Sequence, residues 1–177
     1  MRSLAIVAAS AALLSTVLMA QKPVASQGLS NRRAPSWSLP DTKLQQHDLL
    51  DYRGKWLIIM FMDTPCQACK PLAQDLDKLR AKQKDRMDVV GVVIPPENMA
   101  SVGGFINTTK ITFPILFDSS QMAIPYFKAT PANSVFDRPH LFAVNPDGWL
   151  VKDFGGAVTE DPKLMAELEK LVLTKGK

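Results

Sequence analysis

Cysteine and histidine are both scarce, with two of each in 177 residues. Two cysteines cannot build a disulfide scaffold, so stability has to come from a packed core, and 46% hydrophobic residues supply enough apolar side chains for one ordinary domain. A zinc site wants four ligands, often a second cysteine pair at finger-like spacing; here only His47 and His140 remain, far apart in the chain. No Lys/Arg cluster interleaved with aromatics is present, which argues against a nucleic-acid surface, and a formal charge of +4 names no partner. Internal repeats and low-complexity tracts are also missing.

Outside the core-strand runs, one apolar stretch stands out. Met1-Arg2-Ser3 followed by Leu4 to Leu18 reads as the charged and apolar regions of an export signal, with cleavage after Ala20 or after Ser26. The rival is an uncut N-terminal membrane anchor, although the run is short against the ~20 residues of a full span. Either way residues 1–20 are expected to place the protein outside the cytoplasm, periplasmic or secreted if the signal is cleaved and membrane-anchored if it is not. Their removal takes away Arg2 and no acid, lowering the charge from +4 to +3. Residues 21–34 are polar, with Pro23, Gly28 and Arg32-Arg33, and read as a flexible linker; order is expected from Pro35, giving one domain over 35–177.

Within that domain, Ser36 to Pro40 alternates like a short edge strand, and Leu49 to Lys55 reads as a turn. Trp56 to Met62 holds no polar residue and predicts a parallel strand buried on both faces in the middle of a sheet. Leu72, Leu76 and Leu79 then mark one face of a helix from Gln67 to about Lys84. Asp88 to Ile94, stopped by Pro95-Pro96, predicts a second buried strand, joined to the first by a right-handed crossover and followed by a weaker helix to about Asn107. A short strand over 113–117, a short helix over 119–128 that Pro125 bends or breaks, and a loop over 129–137 come next. His140 to Asn145 and Trp149 to Phe154 flank Pro146-Asp147-Gly148 as a hairpin, so the sheet is mixed, and a final helix begins around Thr159 to Pro162.

The chemistry-bearing motif is Cys66-Gln67-Ala68-Cys69, at the junction of the first buried strand and its helix. A lone C-x-x-C leaves four readings: a dithiol redox centre, half a metal site, a passive disulfide or coincidence. Closing so short a loop removes little unfolded-state entropy, which tells against a purely structural crosslink. A thiol pair at a helix start favours the redox reading, because the helix dipole and unpaired N–H groups stabilise a thiolate. Met60 and Met62 read as core residues.

From Pro35 to about Val172 the order of elements, the C-x-x-C after the first buried strand and Pro139 ahead of the hairpin resemble the thioredoxin-like fold, a three-layer α/β/α sandwich with a mixed central sheet. More narrowly, Ala34-Pro35-x-Trp37-x-Leu39-Pro40, Asp51-Tyr52-Arg53-Gly54-Lys55-Trp56, Phe113-Pro114-Ile115-Leu116-Phe117-Asp118 and Asn145-Pro146-Asp147-Gly148 resemble exported redoxins of the TlpA/ResA and AhpC/TSA-related group. The resemblance implies a thiol-disulfide oxidoreductase with Cys66 as nucleophile, Cys69 as resolving thiol and Pro139 as a cis-proline facing them. It implies no cofactor and no resident metal; the partners are a client protein bearing a disulfide or thiol and an upstream thiol electron donor or acceptor. Two alternatives accompany it: a peroxiredoxin-type peroxidase, against which Asp63 stands where a threonine is usual, and a Sco-like copper chaperone using His140, whose cysteines are spaced one residue further apart. Pro65 replaces a common aromatic. Leu72 and Met60 occupy the two positions where relatives carry an acid for the resolving thiol, leaving Asp63 as the nearest carboxyl in sequence, either functional or a surface acid. Arg138 and His140 read either as the rim of a substrate groove or as solvated and packed side chains.

Overall fold

A computed structural model describes residues 28–174. The elements are β1 (Arg32–Arg33), β2 (Ser38–Pro40), β3 (Gln46–Asp48), β4 (Trp56–Phe61), α1 (Cys69–Lys82), β5 (Met87–Val93), α2 (Met99–Thr109), β6 (Ile115–Phe117), α3 (Ala123–Phe127), β7 (His140–Val144), β8 (Trp149–Gly155) and α4 (Leu164–Leu173), with single 3-10 turns over Leu49–Tyr52 and Gly156–Glu160. Six strands form one sheet in the order β1-β8-β7-β4-β5-β6, and β2 pairs with β3 apart from it. β4, β5 and β6 run parallel; β7, β8 and β1 join antiparallel. The sheet is therefore mixed with β4 inside it, as its unbroken apolar sequence requires.

Successive β4 side chains alternate between two cores. Trp56, Ile58, Met60 and Met62 face the core built with α1, α2 and α4, while Leu57, Ile59 and Phe61 face the core built with α3 and the Trp37–Leu39 segment. Each of the β4 residues is at most 4% exposed. Full burial of such side chains stabilises by roughly 1.5–3 kcal/mol apiece, so this strand anchors both layers, and the loop leaving its C-terminal end starts from a rigid base.

Three expectations shift. Order begins before Pro35: Arg32–Arg33 pairs with Leu150 and Trp149, and Leu29 and Ala34 are buried. The Arg32 guanidinium donates to the carbonyls of Leu29 at 2.7 Å, Pro125 at 2.9 Å and Tyr126 at 2.8 Å, tying a polar segment to the fold. Residues 28–34 thus belong to the folded unit and are not linker; the expected export signal or anchor over 1–20 and the remainder of the expected linker lie outside the described residues. Pro125 does not break α3, because it occupies the third helical position, where its missing N–H has no partner to lose. The last helix starts later than Thr159–Pro162: that stretch closes a 3-10 turn, and Asp161 accepts the Lys163 N–H at 2.8 Å ahead of α4. Among the described residues no helix is long and apolar enough to cross a membrane.

Candidate active site

β4 delivers the chain to the end of the sheet at which the parallel strands finish, where Met62 still donates to the Val92 carbonyl and Asp63-Thr64-Pro65 then leave the sheet. The Cys66 N–H donates to the Asp63 carbonyl at 3.3 Å, turning the chain toward α1. α1 begins at Cys69, two residues later than the sequence pattern suggests, so Cys66 sits just outside the helix. Its Sγ accepts the Cys69 N–H at 3.1 Å. This is one of the N–H groups that a helix start leaves without an internal partner, and it points at the sulfur where negative charge would develop.

The two cysteines form a disulfide with Cα atoms 5.3 Å apart. Their environments differ. Cys66 is partly exposed, whereas Cys69 is 0% exposed within the core that includes Met60, Met62, Leu72 and Ala73. Leu72 and Met60 are themselves buried, so the two positions at which the resemblance leads one to expect an acid present apolar walls to this core. A cleft of about 470 Å³ opens beside the motif, lined in part by Ala68, Pro71, Leu72, Thr159 and Met165.

Pro139 is buried, and the Arg138–Pro139 peptide bond is cis, as expected. The β4–β7 register pairs Phe61 with His140, which brings the segment before β7 and the segment after β4 to the same end of the sheet. There the Arg138 Nε forms an ion pair with Asp63, 2.9 Å from its Oδ2, with the guanidinium 5.7 Å from the centre of the Phe136 ring. Asp63 is thus an ion-paired, half-buried acid and not a solvated strand end. Burial, reinforced by the charge of Glu97, pushes its carboxyl above the usual range despite Arg138.

Glu97 escaped the sequence reading. Its Oε1 accepts the Thr64 N–H at 2.9 Å, and its Oε2 accepts the Thr64 hydroxyl at 2.7 Å and the Ser101 hydroxyl at 2.5 Å. Burial alone would raise its pKa, but hydrogen bonds from Ser101 and Thr64, with the charge of Arg138, hold it below the usual carboxylate range. A signal was present: loops leaving the C-terminal ends of adjacent parallel strands gather at one place, and Thr64 and Glu97 each follow such a strand.

His140 lies elsewhere. Its ring packs edge-on to Phe127 at 4.9 Å and against Phe142 at 4.6 Å, in the core opposite Cys69, and its Nε2 faces Asp153 Oδ2 at 3.4 Å. A Cβ on Gly155 would fall 2.5 Å from the His140 Nδ1, so only glycine lets β8 pass this ring. The packing reading of His140 holds, and the structure does not gather it with the two sulfurs into the ligand set that the copper alternative needs.

Comparisons with known proteins agree with this geometry. Thiol-disulfide oxidoreductase ResA of Bacillus subtilis (strain 168) is 26% identical over 128 residues, spanning 72% of this chain and 68% of that protein. A thiol:disulfide interchange protein of the thioredoxin family from Chlorobium tepidum TLS superposes with a TM-score of 0.68 at 19% identity, covering 80% of this chain and 93% of that one. The pneumococcal exposed lipoprotein thioredoxin from Streptococcus pneumoniae strain TIGR4 gives 0.62 at 20% identity, covering 77% and 99%. The fold and the cysteine pair are those of a thioredoxin-like thiol-disulfide oxidoreductase. With the AhpC/TSA family profile matching residues 30–152, well over half of the sequence, the chain belongs to the AhpC/TSA family.

Proposed function

We propose that this protein is an exported oxidoreductase that exchanges its Cys66–Cys69 dithiol with disulfides or thiols of client proteins, Cys66 being the nucleophile and Cys69 the resolving thiol. The observation that carries the assignment of roles is the asymmetry of the pair: a partly exposed Cys66 whose sulfur accepts a helix-start N–H, and a fully buried Cys69 behind it. In the reducing direction the Cys66 thiolate attacks one sulfur of a client disulfide, and the other client sulfur leaves as a thiolate. Cys69 then gives up its proton and attacks the Cys66 sulfur, so the second client sulfur departs and the protein is left with its internal disulfide. An upstream thiol donor restores the dithiol; the oxidising direction runs the same steps backwards. Pro139, buried and joined by a cis bond to the Arg138 that pairs with Asp63, would wall a groove in which an extended client segment lies and pairs through its backbone. Export is supported by the apolar N-terminal run and by the likeness to an exposed lipoprotein thioredoxin.

The test is trapping. Cys69→Ala should accumulate mixed disulfides with clients through Cys66, visible on non-reducing gels and by mass spectrometry, and Cys66→Ala should not. Equal trapping by both variants would overturn the assignment of roles.

A further inference from the structure

The site contains a charge pair that disulfide exchange does not itself require. Asp63 and Arg138 each lie two residues beyond the Phe61–His140 register pair, on the sides that leave the sheet, so the fold sets them opposite each other. Their side chains are 29% and 28% exposed, and they meet through a single Nε–Oδ2 contact of 2.9 Å. The Asp63 carbonyl accepts the Cys66 N–H, the Thr64 that follows is held by Glu97, and Arg138 is bonded directly to Pro139. One ion pair therefore ties the segment carrying the nucleophile to the segment carrying the groove proline.

We propose that Asp63 and Arg138 are positioning residues that form a proton-sensitive clasp, holding the Arg138–Pro139 segment against the Cys66–Cys69 loop and so setting how tightly a client segment docks. This rests on the reading of the site as a client-disulfide exchanger. The charged groups facing Asp63 are Arg138, from the segment before β7, and Glu97, from the segment before α2. Burial and Glu97 outweigh Arg138, so the folded protein binds the Asp63 proton more tightly than the unfolded chain does. Two consequences follow. The clasp is closed at neutral pH and opens as pH falls through the raised pKa. Its charge also opposes folding, because a carboxyl whose pKa is raised on folding adds stability in acid and not at neutral pH.

The experiment is steady-state reduction of insulin by the full chain, with a small thiol as donor, followed across the acidic-to-neutral range for wild type, Asp63→Asn, Asp63→Glu and Arg138→Lys, alongside thermal unfolding. Loss of a partly exposed charge contact of about 1 kcal/mol corresponds to roughly a fivefold change in binding. The expected result is a KM for insulin raised about fivefold in Asp63→Asn, with a smaller change in kcat, an unfolding midpoint no lower than wild type at neutral pH, and loss of the acidic rise in KM that wild type shows. Asp63→Glu should recover part of the affinity. An unchanged KM and pH profile in Asp63→Asn, or a drop in unfolding midpoint that accompanies the loss of affinity, would overturn the clasp. Failure of the wild-type protein to reduce insulin at all would instead overturn the exchanger reading beneath it.

Discussion

Replacing Glu97 by Gln changes one functional group of nearly the same shape at the point where the nucleophile's loop is fastened. The carboxylate accepts three hydrogen bonds: from the Thr64 N–H, from the Thr64 hydroxyl and from the Ser101 hydroxyl. Gln keeps one carbonyl oxygen for the backbone N–H and turns an NH2 toward the two hydroxyls, which can rotate to accept from it. What disappears is the charge assistance. A hydrogen bond to a charged group contributes ~1.5–3 kcal/mol, against ~1 kcal/mol for a neutral one. For a half-buried site still bonded after the change, the total loss is about 1–2 kcal/mol. At ~2–4 °C per kcal/mol for a chain of this size, the midpoint should fall by about 2–8 °C.

The pH dependence has a definite sign. Glu97 is held below its ordinary range in the folded state, so its stabilisation is complete above the unfolded value of ~4.3 and is lost as pH falls through the lower folded value. Urea unfolding of both proteins at neutral pH and again in acid below that folded value should show a gap that closes in acid. A Glu97→Gln protein as stable as wild type at neutral pH, or a gap that stays constant into acid, would refute the reasoning.

Leu72→Glu places a carboxyl one helical turn from the resolving thiol; it should speed release of the client from the mixed disulfide in stopped-flow measurements, while costing about 1–3 kcal/mol of stability for burying a polar group. Slower or unchanged release would show that Cys69 does not wait on a proton acceptor there. Gly155→Ala forces a methyl onto the His140 ring and should destabilise by about 1–3 kcal/mol, measured by denaturant unfolding; wild-type stability would mean the ring moves freely. Residues 1–26 fused to an export reporter should carry it across the inner membrane, and retention in the cytoplasm would remove the export proposal.

Much of the fold was legible because its central strands carry a strong signal. Trp56 to Phe61 and Val89 to Val93 hold no polar residue, which a strand buried on both faces demands, and Asn145-Pro146-Asp147-Gly148 marks the hairpin tip with a positive φ of 83° at Gly148. The start of the folded unit was not legible: Arg32–Arg33 is a strand too short to show alternation, and it is held by guanidinium bonds to carbonyls that no sequence pattern displays. Cys66, Cys69 and Pro139 were visible as motif residues. Glu97 was signalled only by the gathering of loops that leave adjacent parallel strands, and the pairing of Asp63 with Arg138 not at all, since it depends on which strands lie side by side. Asp63 and Arg138 lie 75 positions apart in the chain and meet only because β4 and β7 are neighbours.

The central claim is that Cys66 and Cys69 form a redox couple available to partners. Its most direct test is equilibration of the protein in glutathione buffers of graded ratio, with the thiol state read by mass shift after alkylation. The account predicts one two-electron transition per chain between dithiol and internal disulfide, with Cys66 alkylated before Cys69 in the reduced form and the transition abolished in Cys66→Ser. A pair that stays in one state across every buffer up to a strong dithiol, or a reduced form in which Cys69 reacts first, would contradict it.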